Sequence, residues 1–413
     1  GNAKSSVEVK SGGNPVLRRN QIHDGKQAGV LVFDDGLGLF EGNEIFGDAT
    51  AGVEIKTFGN PTMRHNRIYD GKQVGVLVHG TGQGQLDEND IFGNTTAGVE
   101  IKTFGNPTLQ SNRIYNGKSV GLYVHDKGQG TFVENDIYGN SKAGVEVDTL
   151  GNPTLRKNRA HDNQDNGIFV HDDGQGMFED NDIFNNALAG IEVTTGANPM
   201  FRVNLIHDQK ERGVQVHHNG QGTFSANDIY ANALAGVEIQ TSGNPKMESN
   251  RIHDNMRYGA YISDNGLGTL EDNEIYSNAS AGVDIETGGN PTLLRNTIRD
   301  GKDRGVVVHD NGRGTFEDNT ITGNVIAGVQ VETGGDPVFK KNRIKAVDGV
   351  GVYVLDNGQG TFESNDIFAN VQSCVEIQRG GNPVLKSNTI HDGREIGVYV
   401  HRQGQGTLID NDI

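Results

Sequence analysis

The sequence predicts an all-β fold, a single-stranded right-handed parallel β-helix solenoid, and three observations carry that expectation. All nine prolines stand 46 residues apart: Pro15, Pro61, Pro107, Pro153, Pro199, Pro245, Pro291, Pro337 and Pro383. An Asn recurs every 23 residues from Asn20 and Asn43 through Asn66, Asn89 and Asn112 to Asn411. No helical 3.6-residue period accompanies these repeats. Short alternating stretches such as Val-Glu-Ile and Val-Leu-Val alternate instead with Gly, Asn and Asp clusters. Self-similarity at this period marks a solenoid, and about three short strands per unit mark a β-helix coil. The expectation is about 18 coils of 23 residues in nine 46-residue double repeats, forming one continuous domain over 1–413.

Each element of the unit has a physical reading. A β-branched pair two residues apart, such as Val53 and Ile55, opens the coil with an inward-facing strand. Gly59-Asn60-Pro61 then turns the chain, because Gly tolerates positive φ and Pro fixes φ. Leu17, Phe40, Met63 and Leu86 stand three residues before the Asn, and Ile22, Ile45 and Ile68 two after it, Ala160 being the one exception in the Ile column. These columns stack on themselves about 4.8 Å apart and form one narrow core. The Asn column sits in a turn as an amide ladder. Gly follows nine residues after each Asn, except where Cys374 takes its place. Gly36-x-Gly38 and its equivalents recur in all nine units without a following helix, so they read as turns rather than phosphate loops.

Composition sets the outer limits. The 413 residues include 60 Gly, 9 Pro, one Cys and no Trp, with 33% apolar residues and a net charge of -18. One Cys excludes a disulfide framework and a multi-cysteine metal site. The acidic balance argues against nucleic acid, and no apolar run reaches membrane-spanning length. A single thiol and no signal-like start lean toward an intracellular protein. The sequence starts and stops mid-coil without a cap, which reads as a segment of a longer protein whose open ends could associate end to end.

The units resemble the repeats of F-box only protein 11 and its relatives, within the pectate-lyase-like parallel β-helix repeats. GNPTMRHNRIYDG (59–71), GVVVHDNGRG (305–314) and EDNDI (179–183) carry the likeness, together with Ala327-Gly328-Val329. The resemblance implies the substrate-recognition part of a ubiquitin-ligase receptor, although no F-box-like helical segment is present.

Surface columns point to function. Residues after each Asn alternate in charge (Arg67, Asp90, Arg113, Asp136, Arg159, Asp182), giving cross-strand ion pairs on a solvated face. Coils of constant length leave no inserted loop to build a cleft, and a uniform ladder of acids offers no unequal pair. The expectation is therefore no enzyme, no catalytic residue, no cofactor and no metal. In the outward column of the β-branched strand, Glu54, Glu100, Glu146, Glu192 and Glu238 alternate with residues that include Tyr123, Phe169, Tyr261, Tyr353 and Tyr399. Exposed rings between unpaired acids suggest a binding face for a basic protein or peptide segment. Two residues on, His79, His125, His171, His217, His309 and His401 alternate with Lys56, Lys102, Asp148 and Thr194. Consecutive His are two coils apart, too far to share a tetrahedral metal, so hydrogen bonds to Asp126 or Asp310 are expected. His217 and His218 are expected to face opposite ways. A stripe of Lys26, Lys72, Lys118, Lys210, Lys302 and Arg394 marks another exposed turn. Its variable neighbours (163–166, 209–212, 255–258, 346–350) read as drift. Two other functions fit the pattern: a carbohydrate-binding or polysaccharide-active β-helix, with calcium bridging Glu146 and Glu192, and a passive spacer.

Overall fold

The computed structural model describes residues 2–346 and 348–413, so Val347, within the variable turn at 346–350, lies outside the described residues. All regular structure among them is β-strand, arranged as a right-handed parallel solenoid of about 17 coils with three parallel sheets. We call the sheets A, B and C in the order each coil visits them. The chain falls into two compact units, Gly1–Lys210 and Glu211–Ile413.

In the first unit, sheet A runs from Val7–Val9 to Ile191–Val193, sheet B from Val16–Arg18 to Met200–Arg202, and sheet C from Gln21–His23 to Leu205–His207. Register follows the 23-residue repeat: Val53, Glu54 and Ile55 pair with Val30, Leu31 and Val32 on one side and with Val76, Leu77 and Val78 on the other. Like therefore stacks on like. Val53 and Ile55 of sheet A, Met63 of sheet B and Ile68 of sheet C all point inward and are fully buried. Three short strands supply only a few apolar side chains per coil, but each is covered above and below by its equivalents. That continuity lets a chain with few apolar residues hold a dry core. Where sheet B carries Phe, the rings stack, as Phe178 does on Phe201 at 4.5 Å.

The second unit repeats the plan. Its sheet A runs from Val214–Val216 to Val398–Val400, sheet B from Thr223–Ser225 to Thr407–Ile409, and sheet C from Asp228–Tyr230 to Thr389–His391. Phe316, Phe339 and Phe362 stack in its core at 4.2 and 5.1 Å. Cys374 is buried in the place of a glycine.

A single residue turns the chain between sheets B and C. His65, for example, sits at φ 52°, a left-handed conformation that disfavours a side chain. The Asn that follows secures this corner. Asn66 Nδ2 donates to Asn89 Oδ1 and to the Phe40 carbonyl, both at 2.9 Å, and its backbone N–H donates to Asn89 Oδ1 at 3.0 Å. The expected amide ladder is present.

A second ladder, not anticipated, lines the turn from sheet C to sheet A. Asn140 Nδ2 donates to Asn163 Oδ1, Asn163 to Asn186, and Asn186 to Gln209, at 2.9–3.1 Å. In the second unit Asn232 donates to Asn255 and Asn255 to Asn278. Asn163, Gln209 and Asn255, expected as surface drift, are thus buried structural members. Buried amides need partners, and here the coils above and below supply most of them. Beside this ladder the glycine column is compelled by space: a Cβ on Gly75 would lie 2.5 Å from the Gly98 carbonyl oxygen.

Outside, sheet C of the first unit neutralises itself as expected. Arg67 pairs with Glu44 at 3.2 Å, Arg113 with Asp90 at 2.6 Å and Arg159 with Asp136 at 3.3 Å. Next to them, rings from His23 through Phe46, Tyr69, Phe92 and Tyr115 to Tyr138 stack coil by coil at 4.9–5.1 Å. The Arg67 guanidinium lies 5.2 Å from the Tyr69 ring centre. These groups are solvated, so each ion pair contributes little. Arg113→Met is expected to cost less than about 1 kcal/mol in urea unfolding, despite its two-pronged contact with Asp90.

Candidate functional site

The outer face of sheet A carries the acid, aromatic and His columns that the sequence singled out, and the register of the coils decides which of them meet. Adjacent coils put column positions side by side, and a residue two places further along the strand reaches diagonally to the preceding coil. An offset of 25 residues therefore brings a His to a Glu.

In the first unit, Lys56 Nζ lies 2.7 Å from Glu54 Oε1, and His79 Nε2 reaches the same oxygen at 3.1 Å. The hydrogen bond to His79, reinforced by Lys56, outweighs burial and holds the Glu54 carboxyl down at about 2. Glu100 repeats the pattern with Lys102 at 2.6 Å and His125 at 3.1 Å. Burial pushes its pKa up, but those two partners prevail and it is lowered. Two coils on, the Lys is replaced. Asp148 occupies its column, His171 Nε2 lies 3.2 Å from Glu146 Oε1 and 3.8 Å from Asp148 Oδ2, and the Tyr123 hydroxyl donates to Asp148 Oδ2 at 2.7 Å. Burial and the Asp148 carboxylate raise the Tyr123 pKa, so the hydroxyl stays protonated. Phe169 stacks on His171 and Tyr123 on His125, each at 4.2 Å. Glu192 accepts a hydrogen bond from Asn166 Nδ2 at 2.6 Å.

In the second unit, Glu238 is buried against Arg212. With Tyr261, Tyr258, Arg257 and Leu234 these two line a cavity of about 210 Å³. Tyr261 donates to Glu286, and His309 Nε2 lies 3.1 Å from Asp284 and 3.6 Å from Glu286. The Asp284 hydrogen bond raises His309 to about 9 against the opposing effect of burial. Tyr261, Asp284, Glu286 and His309 each stand 138 residues after Tyr123, Glu146, Asp148 and His171, so one constellation occurs in both units. Tyr353 bonds Gln378, and Tyr399, the most exposed of the rings, stacks on His401 at 4.1 Å.

Several expectations are corrected by this geometry. Lys56 and Lys102 pair with Glu54 and Glu100 along the strand, as their spacing implies, but the later acids are not unpaired: Glu146 and Glu376 meet a His of the following coil and Glu238 meets Arg212. The rings of Tyr123, Phe169, Tyr261 and Tyr353 are half-buried rather than exposed. His217 and His218 do not face apart, since His218 turns at φ 46° and the rings meet edge-on at 4.8 Å. His309 Nδ1 bonds Asp310 at 2.9 Å as expected, and His125 Nδ1 lies 3.3 Å from the Asp126 carboxylate. The sequence joined Tyr123 to Glu146 but left Asp148 and His171 in a separate column. It also passed over Phe58, Phe104 and Leu150, which stand 46 residues apart on the turn after sheet A, 57, 55 and 44% exposed.

Comparison with known proteins places the chain by fold. The family described as right handed beta helix region matches residues 5–152, 143–293, 220–344 and 290–413. No curated protein matches the sequence. Among solved structures, the A-module of Azotobacter vinelandii mannuronan C-5 epimerase AlgE4 is similar at 15% identity, with 85% of this chain and 91% of that chain covered and a TM-score of 0.44. The periplasmic alginate epimerase AlgG is similar at 13% identity, covering 92% and 78%, with a TM-score of 0.31. Pectate lyase Pel9A follows at 11% identity, covering 74% and 70%, with a TM-score of 0.30. The expectation that this chain is no enzyme does not stand, since the structures of similar fold include two epimerases and a lyase. At these identities the likeness is one of fold. Nothing in the comparisons singles out the F-box only protein 11 repeats. Among the described residues no helix is long and apolar enough to cross a membrane. With the family matched along nearly its whole length, the chain belongs to the right-handed β-helix family.

Proposed function

We propose that the outer face of sheet A binds a linear polysaccharide. The observation that carries this reading is the Tyr–acid–acid–His constellation of Tyr123, Glu146, Asp148 and His171, repeated at Tyr261, Asp284, Glu286 and His309. Each is an open set of donors and acceptors on a strand face, suited to an extended chain of hydroxyl-bearing units rather than to a compact ligand. Glu54, Glu100 and Glu238, already met by Lys or Arg, have little charge left to attract a basic peptide, yet they still accept hydrogen bonds from hydroxyls. His and carboxyl groups in contact are also the groups that general acid–base chemistry on a sugar uses. Binding of a length series of linear oligosaccharides, followed calorimetrically, tests the reading. Tyr123→Phe and His171→Gln should each weaken binding about 10-fold, as expected for loss of one polar contact, and Arg113→Met should leave it unchanged. A folded protein that binds no oligosaccharide, or variants that bind as well as the parent, would sink it.

A second reading, a protein segment as partner, draws support from Phe58, Phe104 and Leu150. These exposed apolar side chains hold φ of 62–64°, a conformation that is strained for any residue with a Cβ. Gly196, Gly288 and Gly334 occupy the same column without that strain. Replacing all three by Ser should abolish binding to a peptide array and spare oligosaccharide binding; the reverse pattern would favour neither partner at this stripe.

A further inference from the structure

We propose that Glu146, Asp148 and His171 form a site for a divalent first-row metal ion of the Zn²⁺ type. The inference goes beyond carbohydrate binding and does not depend on it. It begins with the coils that precede the site. At Glu54 and Glu100 a Lys from two residues along the strand places its ammonium 2.7 and 2.6 Å from the carboxylate, so the seat beside each Glu–His pair is filled by a resident cation. At Glu146 the same column holds Asp148. The cation is gone and a second acid has taken its place.

What remains is a cluster short of positive charge. One ligand atom from each of Glu146, Asp148 and His171 lies within 4.8 Å of the others. Asp148 is only 7% exposed, and while its Oδ2 accepts from Tyr123 and faces His171, its Oδ1 is buried without any hydrogen-bond partner. An unmatched buried carboxylate oxygen is costly, and the equivalent positions two and four coils earlier each hold a cation. The donor set is one imidazole nitrogen and two carboxylates, which suits Zn²⁺ better than the all-oxygen cages of Ca²⁺.

Outer contacts fit the same reading. His171 Nδ1 lies 3.0 Å from Asp172 Oδ2, an arrangement that fixes the ring and turns Nε2 toward Glu146 and Asp148. A carboxylate behind a ligating His is the common supporting shell of metal-bound imidazoles. Tyr123 anchors Asp148 in the same way from the other side. On binding, the ion takes the place of the Nε2 proton, which passes to solvent. Glu286, His309 and Asp310 form a second close group, but no buried side-chain oxygen among the described residues there lacks a partner, and no ion is assigned to it.

The test is a Zn²⁺ titration of the chelator-stripped full chain against a chromophoric competitor, without carbohydrate, so that its outcome is independent of the polysaccharide reading. The parent should bind Zn²⁺ and unfold at a higher temperature with it. Asp148→Lys, which copies the arrangement at Lys56 and Lys102 and should fold for that reason, should bind one equivalent fewer. Asp172→Asn should weaken the site about 10- to 100-fold. His171→Gln should also remove one equivalent, which keeps the test valid if Asp148→Lys folds poorly. Unchanged stoichiometry in both Asp148→Lys and His171→Gln would overturn the site. So would uptake of Ca²⁺ but not Zn²⁺ by the parent, since the imidazole would then be no ligand.

Discussion

Asn89→Ala is expected to destabilise the first unit by about 3–5 kcal/mol, read from urea unfolding, because it orphans several buried groups at once. The Asn89 carboxamide uses its whole hydrogen-bonding capacity. Nδ2 donates to Asn112 Oδ1 at 2.9 Å and to the Met63 carbonyl at 3.0 Å, and Oδ1 accepts from the backbone N–H and the Nδ2 of Asn66 at 3.0 and 2.9 Å. Deleting it takes the partner from the Asn66 backbone N–H, from one of the two Nδ2 hydrogens of Asn66 and from the Met63 carbonyl, in a place only 1% exposed. Water cannot fill that gap without spreading the coils. The nearby left-handed corners would lose their restraint as well. A loss below about 1 kcal/mol would mean that the ladder is incidental to the fold.

The second large effect has the opposite sign. Asp48→Asn is expected to stabilise the protein by about 3 kcal/mol at pH 8 and to have little effect below pH 4. Asp48 stands in the second amide ladder, where Asn94 and Asn140 donate their Nδ2 to the Ile68 and Ile114 carbonyls. Its Oδ1 accepts the Gly25 N–H at 2.8 Å, but its Oδ2 is buried without a partner. Burial, opposed in part by that hydrogen bond, raises its pKa from 3.8 to about 6. The folded state therefore holds this proton more tightly than the unfolded chain. The stability associated with it is complete below about pH 3.8, falls as pH rises toward 6, and is lost above that. An amide in its place carries no charge to bury and adds the missing donor. Thermal unfolding of both proteins from pH 4 to pH 8 measures the difference, and parallel curves across that range would refute the assignment.

These two positions also show what can be read from sequence in such a chain. The first ladder was legible because its Asn recurs at 23 residues without interruption. The second was not, because its column opens on Gly25, Asp48, Gly71, Asn94 and Gly117, and the Asn runs that follow at 140–186 and 232–278 are interrupted by Gln209. Its buried members at Asn163, Gln209 and Asn255 looked like surface variation for the same reason. At the candidate site, columns along the sheet were readable and diagonals across it were not. Tyr123 and Glu146 could be joined because they share a column, whereas His171 reaches Glu146 only through an offset of 25 residues. That offset depends on side-chain direction and length, which periodicity alone does not encode. Phe58 and Phe104 escaped notice because they lie within a turn, where the alternation that flags a strand face is absent.

The coil-to-coil register has a consequence for how such a chain can change length. The backbone lattice is commensurate with 23 residues, but the chemistry on its faces returns only after 46. Removing residues 67–89 would keep every strand, corner and Asn in phase, yet it would bring Asp90 against Glu44 and set acid beside acid where an Arg had stood. Removing residues 67–112 instead brings Arg113 against Glu44 and keeps the alternation of sheet C. Growth or loss by pairs of coils is therefore the step that leaves both the fold and the charge order of this sheet unchanged.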